Sequence, residues 1–152
     1  MRLAIAVAGI ALALAAVACG ADIASYVYHN ESILEALPAL PGAEWLSTEH
    51  NPYYEERGWA PIGWTTNVIY KAPPEMTDQD VIDFYVQSMD QDWQGRVEEV
   101  PIVEIGTGEQ KGRVLQAQFS KGTAIVSVNT GNMFEGGPHT FEVSIDYRGA
   151  ER

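Results

Sequence analysis

TDQDVIDFYVQSMDQDW, residues Thr77–Trp93, is the longest helical pattern in the chain once residues 1–18 are set aside. Val81, Ile82, Tyr85 and Met89 recur at spacings of three, four and seven, which places them on one face of a helix with 3.6 residues per turn. Thr77 with Asp80 three positions on makes a capping-box pattern, Asp standing where Glu or Gln is usual. Asp78, Asp80 and Asp83 crowd the helix start, where the macrodipole favours negative charge. Gly95 reads as the stop. A helix with one apolar face needs a surface to lie on, and the flanking sequence supplies strands.

Upstream, Trp64–Lys71 alternates, with Thr66, Val68 and Tyr70 on one side and Asn67, Ile69 and Lys71 on the other, before Ala72-Pro73-Pro74 ends it. Downstream, Arg96–Ile105 reads as a strand that Pro101 marks as an edge or a bulge. Arg113–Ser120 sets Leu115, Ala117 and Phe119 against Gln116 and Gln118, and Lys121-Gly122 turns the chain as a hairpin into Thr123–Asn129. Thr130–Pro138 is a glycine-rich loop, and Thr140–Arg148 alternates most cleanly, with Phe141, Val143, Ile145 and Tyr147 facing inward. The expected fold is α+β: one main helix packed on a mostly antiparallel sheet of about five strands in the order β-α-β-β-β-β, similar to TBP-associated or cystatin-type helix-on-sheet folds.

Working further back, Pro38–Gly63 holds four prolines and three glycines and is expected to be loop or short extended pieces. Its rings, Trp45, Tyr53, Tyr54 and Trp59, with Trp64 just beyond it, suit either a ligand-stacking surface or a long loop pinned to the core. Met133 and Phe134 in the glycine-rich loop suit a partner-contact tip or a hairpin end folded back on the sheet. The candidate binding surface is therefore Trp45, Tyr53, Tyr54, Trp59, Met133 and Phe134. Glu31–Leu37 carries one or two helical turns ended by Pro38, and Tyr26–Tyr28 reads as a brief strand or arm. Asn30-Glu31-Ser32 is formally a glycosylation sequon.

Residues 1–18, MRLAIAVAGIALALAAVA, have one positive charge, an unbroken small-apolar run and a small-residue end, the pattern of an export signal. The junction Ala16-Val17-Ala18-Cys19-Gly20 resembles a bacterial lipobox, and Cys19 is the chain's single cysteine. That resemblance implies cleavage before Cys19, acyl chains on its sulfur and usually its amine, and stable membrane attachment. The alternative is ordinary signal cleavage after Ala18 and a secreted protein without lipid. Leu40-Pro41-Gly42-Ala43, Tyr70-Lys71-Ala72-Pro73, Thr77, Val81, Phe84-Tyr85 and Trp93 together resemble small bacterial envelope lipoproteins of unassigned chemistry. What this implies is a class and a fold, with no activity attached. The expected organisation is a signal peptide over 1–18, an N-terminal arm and short helix over 19–37, and a single domain over 38–150.

Composition narrows the function. The 152-residue chain carries 21 acidic and 9 basic residues, a formal charge of −12, and loss of Arg2 with the signal makes the mature chain one unit more negative. Such a surface repels phosphate backbones, so no nucleic-acid partner is expected. One cysteine excludes an intramolecular disulfide and a multi-cysteine zinc site. His29, His50 and His139 lack metal-ligand spacing. Asp90 and Asp92 open a calcium-loop pattern that fails at Gln94 and Pro101, leaving them weak metal candidates. No Gly-x-Ser-x-Gly elbow is present, and Glu55/Glu56 and Glu98/Glu99 are adjacent in sequence rather than placed across a substrate. The expectation is a lipid-anchored, non-catalytic envelope protein with no cofactor, exported to the cell or outer membrane and contacting a protein or glycan. The alternative is a carboxylate-based hydrolase or calcium-dependent binder.

Overall fold

The computed structural model describes residues 24–54, 61–103, 110–131 and 139–147. Helix α1 covers 24–36. It is followed by β1 (Glu44–Tyr54), β2 (Pro61–Lys71), α2 (Asp78–Ser88), β3 (Gln94–Val103), β4 (Gln110–Lys121), β5 (Ala124–Thr130) and β6 (Thr140–Tyr147). The six strands form one sheet in the order β1-β2-β6-β5-β4-β3, and every neighbouring pair is antiparallel. The α+β class therefore holds, while the expected count and order do not. Among the described residues there are two helices and six strands, arranged α-β-β-α-β-β-β-β.

Two corrections produce the difference. Glu44–Tyr54, expected as loop or short extended pieces, is a continuous 11-residue edge strand. Its register against β2 slips between Trp45 and Ser47 and again between Tyr53 and Tyr54, which breaks the period-2 pattern that would have revealed it. Tyr26–Tyr28, expected as an arm or brief strand, lies inside the helix over 24–36. The buried side of that helix is Asn30, Ile33, Leu34 and Leu37. Its spacing of three, four and seven was disguised because the first member is an amide.

The C-terminal strand β6 joins the two halves of the sheet. It pairs along its whole length with β2 of the first hairpin and from Phe141 to Tyr147 with β5 of the β3–β6 meander. Phe141, Val143 and Ile145 on it are at most 1% exposed. The chain reaches the far edge through α2. Four strand spacings separate β2 from β3, about 19 Å at 4.8 Å each, and eleven helical residues span about 16 Å. The helix is thus the right length to carry the chain across the sheet face, and it packs on β4 and β5 on the way. Val81, Ile82 and Tyr85 are its buried residues, as the periodicity predicts.

The cap is present in both directions. Thr77 N–H donates to Asp80 Oδ2 at 2.7 Å, and Asp80 N–H donates to Thr77 Oγ1 at 3.2 Å. Thr77 Oγ1 also donates to Asp80 Oδ2 at 2.6 Å, and this side-chain bond, followed by the bond from the Thr77 backbone N–H, favours the ionised carboxyl and holds Asp80 below the usual carboxylate range. The other end differs from expectation. The helix stops at Ser88, and the C-cap, Met89, is already extended at φ −67° and ψ 137°. Gly95 is a strand residue opposite Phe119, not a helix cap. A Cβ at Gly95 would come within 2.9 Å of Phe119 Cδ1, and Phe119 is 3% exposed, so the glycine makes room for a core ring.

Both helices lie on one sheet face, where Ile33, Leu34, Leu37, Val81, Ile82 and Tyr85 join Phe119, Val126, Val128, Phe141, Val143 and Ile145 in a single core. The other face is polar and cross-linked. Gln116 donates to Asn129 Oδ1 at 2.7 Å, Asn129 donates to Glu142 Oε1 at 3.2 Å, and Ser144 donates to Asn67 Oδ1 at 2.7 Å. Burial in this lattice raises Glu142; the Asn129 hydrogen bond opposes the shift and the Glu49 charge adds to it. Each edge strand carries a proline, Pro52 in β1 and Pro101 in β3, and charged residues such as Glu49 and Glu98. Both devices discourage edge-to-edge pairing with another chain.

Candidate functional site

Helix α1 is held to the sheet by specific contacts. Asn30 is fully buried and donates through Nδ2 to the Trp64 carbonyl of β2 at 2.7 Å. That burial closes the sequon to modification in the folded protein. Tyr26 and His29 pack on Tyr147 of β6, with ring centroids 6.2 and 4.8 Å away. Glu31 Oε1 lies 4.0 Å from His50 Nε2, and His50 Nδ1 lies 3.0 Å from Thr66 Oγ1. This carboxylate–imidazole–hydroxyl row has the order of a nucleophilic relay, but Thr66 is 0% exposed and cannot meet a substrate. It fastens α1 and β1 to β2.

Between α1 and the exit of α2 lies a cleft of about 410 Å³, lined by His29, Ser32, Ile33, Ala36, Leu37, Asp90, Trp93, Lys121, Ala124 and Tyr147. Its walls are mostly apolar and its mouth carries a few polar groups, the composition of a small-ligand site, and its volume falls within the range such sites occupy. Each wall is explained by local structure. Ile33, Ala36 and Leu37 follow one side of α1. Trp93 is positioned by the turn after α2, where its N–H donates to the Asp90 carbonyl at 3.0 Å. Lys121 stands at the tight β4–β5 hairpin, where Gly122 takes φ +59° at the first of the two loop positions. The lysine pairs with Asp92 at 3.2 Å and hangs 6.0 Å from the centre of the Trp93 ring.

A second groove, about 450 Å³, runs along the other side of Trp93 between α2 and β3, with Val86, Met89, Val97 and Phe119 among its walls. Asp90 borders both grooves. Below the first cleft, a smaller cavity of about 120 Å³ sits in the core among Leu34, Leu37, Leu40, Tyr70, Tyr85 and Phe141. Burial pushes the phenols of Tyr70 and Tyr85 upward, and the Tyr70 charge adds to the effect on Tyr85.

The sequence-predicted residues fall unevenly on this map. Trp45 is on edge strand β1, 60% exposed, with Nε1 donating to Thr48 Oγ1 at 3.0 Å. It is neither pinned in the core nor part of the cleft. The backbones of Tyr53 and Tyr54 end β1, and their side chains lie outside the described set. Cys19, Trp59, Met133 and Phe134 lie outside the described residues. Asp92, a weak metal candidate, is engaged by Lys121. Among the described residues no three His, Cys, Asp or Glu side chains gather in a way that could hold a metal ion. No helix among them is long and apolar enough to cross a membrane.

Sequence reasoning missed the cleft because its walls come from α1, the α2 exit, the β4–β5 hairpin and β6, segments that are far apart along the chain. One local signal was available: Glu35 and Asp90 put acids at the exits of both helices, where a base is the favourable choice. The sequence matches no family model and no curated protein.

Proposed function

We propose that this protein is a lipid-anchored, non-catalytic binding module of the bacterial cell envelope, held to its membrane by acyl chains on Cys19. The observation that carries the reading is the lipobox-like junction Ala16-Val17-Ala18-Cys19-Gly20 with the chain's single cysteine, and the position of α1 sets its consequence. The helix is already formed at residue 24, five residues after the lipobox-like cysteine, and five residues span at most about 18 Å. A lipid at Cys19 therefore holds the folded domain against the bilayer surface, with the α1 end of the two-helix cleft nearest the lipid. The cleft supports a binding role, and the buried hydroxyl of the Glu31–His50–Thr66 row gives no support to a catalytic one. The calcium alternative draws no support from Asp92, whose carboxylate is occupied by Lys121.

Cys19→Ala tests the anchor. The wild-type chain is expected in the membrane fraction and extractable only with detergent, while the Cys19→Ala chain, cleaved from its signal, is expected in the soluble envelope fraction. Membrane retention of the cleaved Cys19→Ala chain would overturn the anchor.

A further inference from the structure

We propose that the core cavity of about 120 Å³ bordered by α1, β2, α2 and β6 binds a small neutral carbonyl compound, one ring in size, whose oxygen accepts hydrogen bonds from the Tyr70 and Tyr85 hydroxyls. The site goes beyond the binding-module reading, lies below the two-helix cleft and does not depend on the lipid anchor.

Tyr85 is the starting point. It occupies a core position of α2 and is 3% exposed. Among the described residues neither its hydroxyl nor that of Tyr70 has a hydrogen-bond partner. A buried hydroxyl without a partner costs stability, and phenylalanine would fill the same space without that cost. The Tyr85 hydroxyl is not sealed among its neighbours, because it keeps accessible surface, and the space that Tyr85 lines is this cavity. Tyr70 lines it too, close enough for its charge to act on Tyr85. Phe141 fixes the pair: it stacks on Tyr70 at 5.3 Å between centroids and meets Tyr85 at 6.2 Å. Three rings from β2, β6 and α2 thus hold two unpaired phenols in one wall.

The wall selects the ligand. Burial raises both phenols, so each keeps its proton at physiological pH and is available as a donor. A carbonyl oxygen has two lone pairs and accepts from both, whereas a hydrocarbon leaves both unpaired. The rest of the lining, with Leu34, Leu40 and Val143, is apolar and includes no charged side chain. An ion there would lose its hydration with no opposite charge to replace it, so the ligand is neutral. An apolar cavity of about 150 Å³ takes benzene, so this smaller one admits about one five- or six-membered ring. Ala39 is exposed and also lines the cavity, which places the mouth at the connection between α1 and β1.

The test uses the mature Cys19→Ala chain, purified without detergent. It is titrated with cyclopentanone, with methylenecyclopentane, in which a CH2 group replaces the oxygen, and with cyclopentanecarboxylate, while NMR follows the methyl resonances of Leu34, Leu40 and Val143. The expected result is saturable one-to-one binding of cyclopentanone that moves these methyls, and no shift with the carboxylate. Tyr85→Phe and Tyr70→Phe are each expected to weaken cyclopentanone about fivefold and to leave methylenecyclopentane no weaker. Tyr85→Phe is also expected to melt at or above the wild-type temperature, since the hydroxyl it removes has no partner in the protein. No saturable shift with cyclopentanone, the result for a cavity that holds only water, would overturn the proposal. So would carboxylate binding as tight as the ketone's, unchanged cyclopentanone affinity in either variant, equal weakening of ketone and hydrocarbon, or a lower melting temperature for Tyr85→Phe. None of these outcomes bears on the anchor, which the fractionation of Cys19→Ala reads separately.

Discussion

Phe141→Ala is expected to lower the unfolding free energy by about 3–5 kcal/mol, toward the upper end of that range. Phe141 is 1% exposed on the central strand β6. Its ring stacks on Tyr70 at 5.3 Å between centroids and meets Tyr85 of α2 at 6.2 Å. The transfer of a benzyl group out of the core is one part of the cost. The other is the space left behind. Phe141 already borders the 120 Å³ cavity among Leu34, Leu37 and Leu40, so its removal enlarges an existing void. β6 is hydrogen-bonded to β2 on one side and β5 on the other, which keeps the backbone from collapsing inward. Denaturant unfolding of the variant measures the loss. Val97→Ala is the contrast: Val97 sits on edge strand β3, 49% exposed, and its truncation is expected to change stability by about 0.5 kcal/mol or less. Equal effects at the two positions would contradict the placement of β6 at the centre of the core.

Asn30→Asp is expected to cost about 3 kcal/mol or more at neutral pH, because it leaves a carboxylate in a fully buried site where the amide donated to the Trp64 carbonyl. An aspartate cannot make that bond when ionised and faces a carbonyl oxygen instead. The sign of the pH dependence follows from the burial. Desolvation raises the folded-state pKa of the new carboxyl above its unfolded value of about 3.9. The protein then binds more protons folded than unfolded between the two values. Stability is therefore best preserved below the unfolded pKa and is lost as pH rises through the folded one. Protonated, the carboxyl can donate to the Trp64 carbonyl as the amide does. Unfolding measured at pH 7 and near pH 3.5 is expected to show the variant's deficit relative to wild type shrinking at the acidic end. A deficit independent of pH would mean that Asn30 is not buried against β2, and that α1 is not docked as described.

These two positions mark what could be read from the sequence and what could not. Phe141 was legible because β6 alternates without interruption and its inward residues are all large and apolar. Val81, Ile82 and Tyr85 were legible for the same reason at a different period, and the Thr77–Asp80 cap was legible from residue type and spacing. Helix α1 was hidden because Asn30 occupies a core position with a polar side chain, and because Tyr26-Val27-Tyr28 favours strand when read alone. Strand β1 was hidden because an edge strand with two register slips has no sustained alternation, and Pro52 argued for loop. Gly95 was misassigned because a glycine after a helix reads as a cap, whereas its role depends on Phe119, a residue 24 positions later on the neighbouring strand. The cleft follows the same logic. In the sequence Trp93 and Asp90 read as a helix exit with an incomplete calcium loop, and their association with Ile33, Ala36 and Lys121 exists only once the sheet order is known.

We propose that a lipid on Cys19 presents this fold at a membrane surface. Mass spectrometry of the N-terminal peptide from the membrane-extracted protein tests it most directly. The predicted result is a mature chain beginning at Cys19, heavier than the bare peptide by the mass of a diacylglyceryl group with or without a further acyl chain. A peptide beginning at Cys19 with a free thiol and amine, or one that retains residues 1–18, would contradict it.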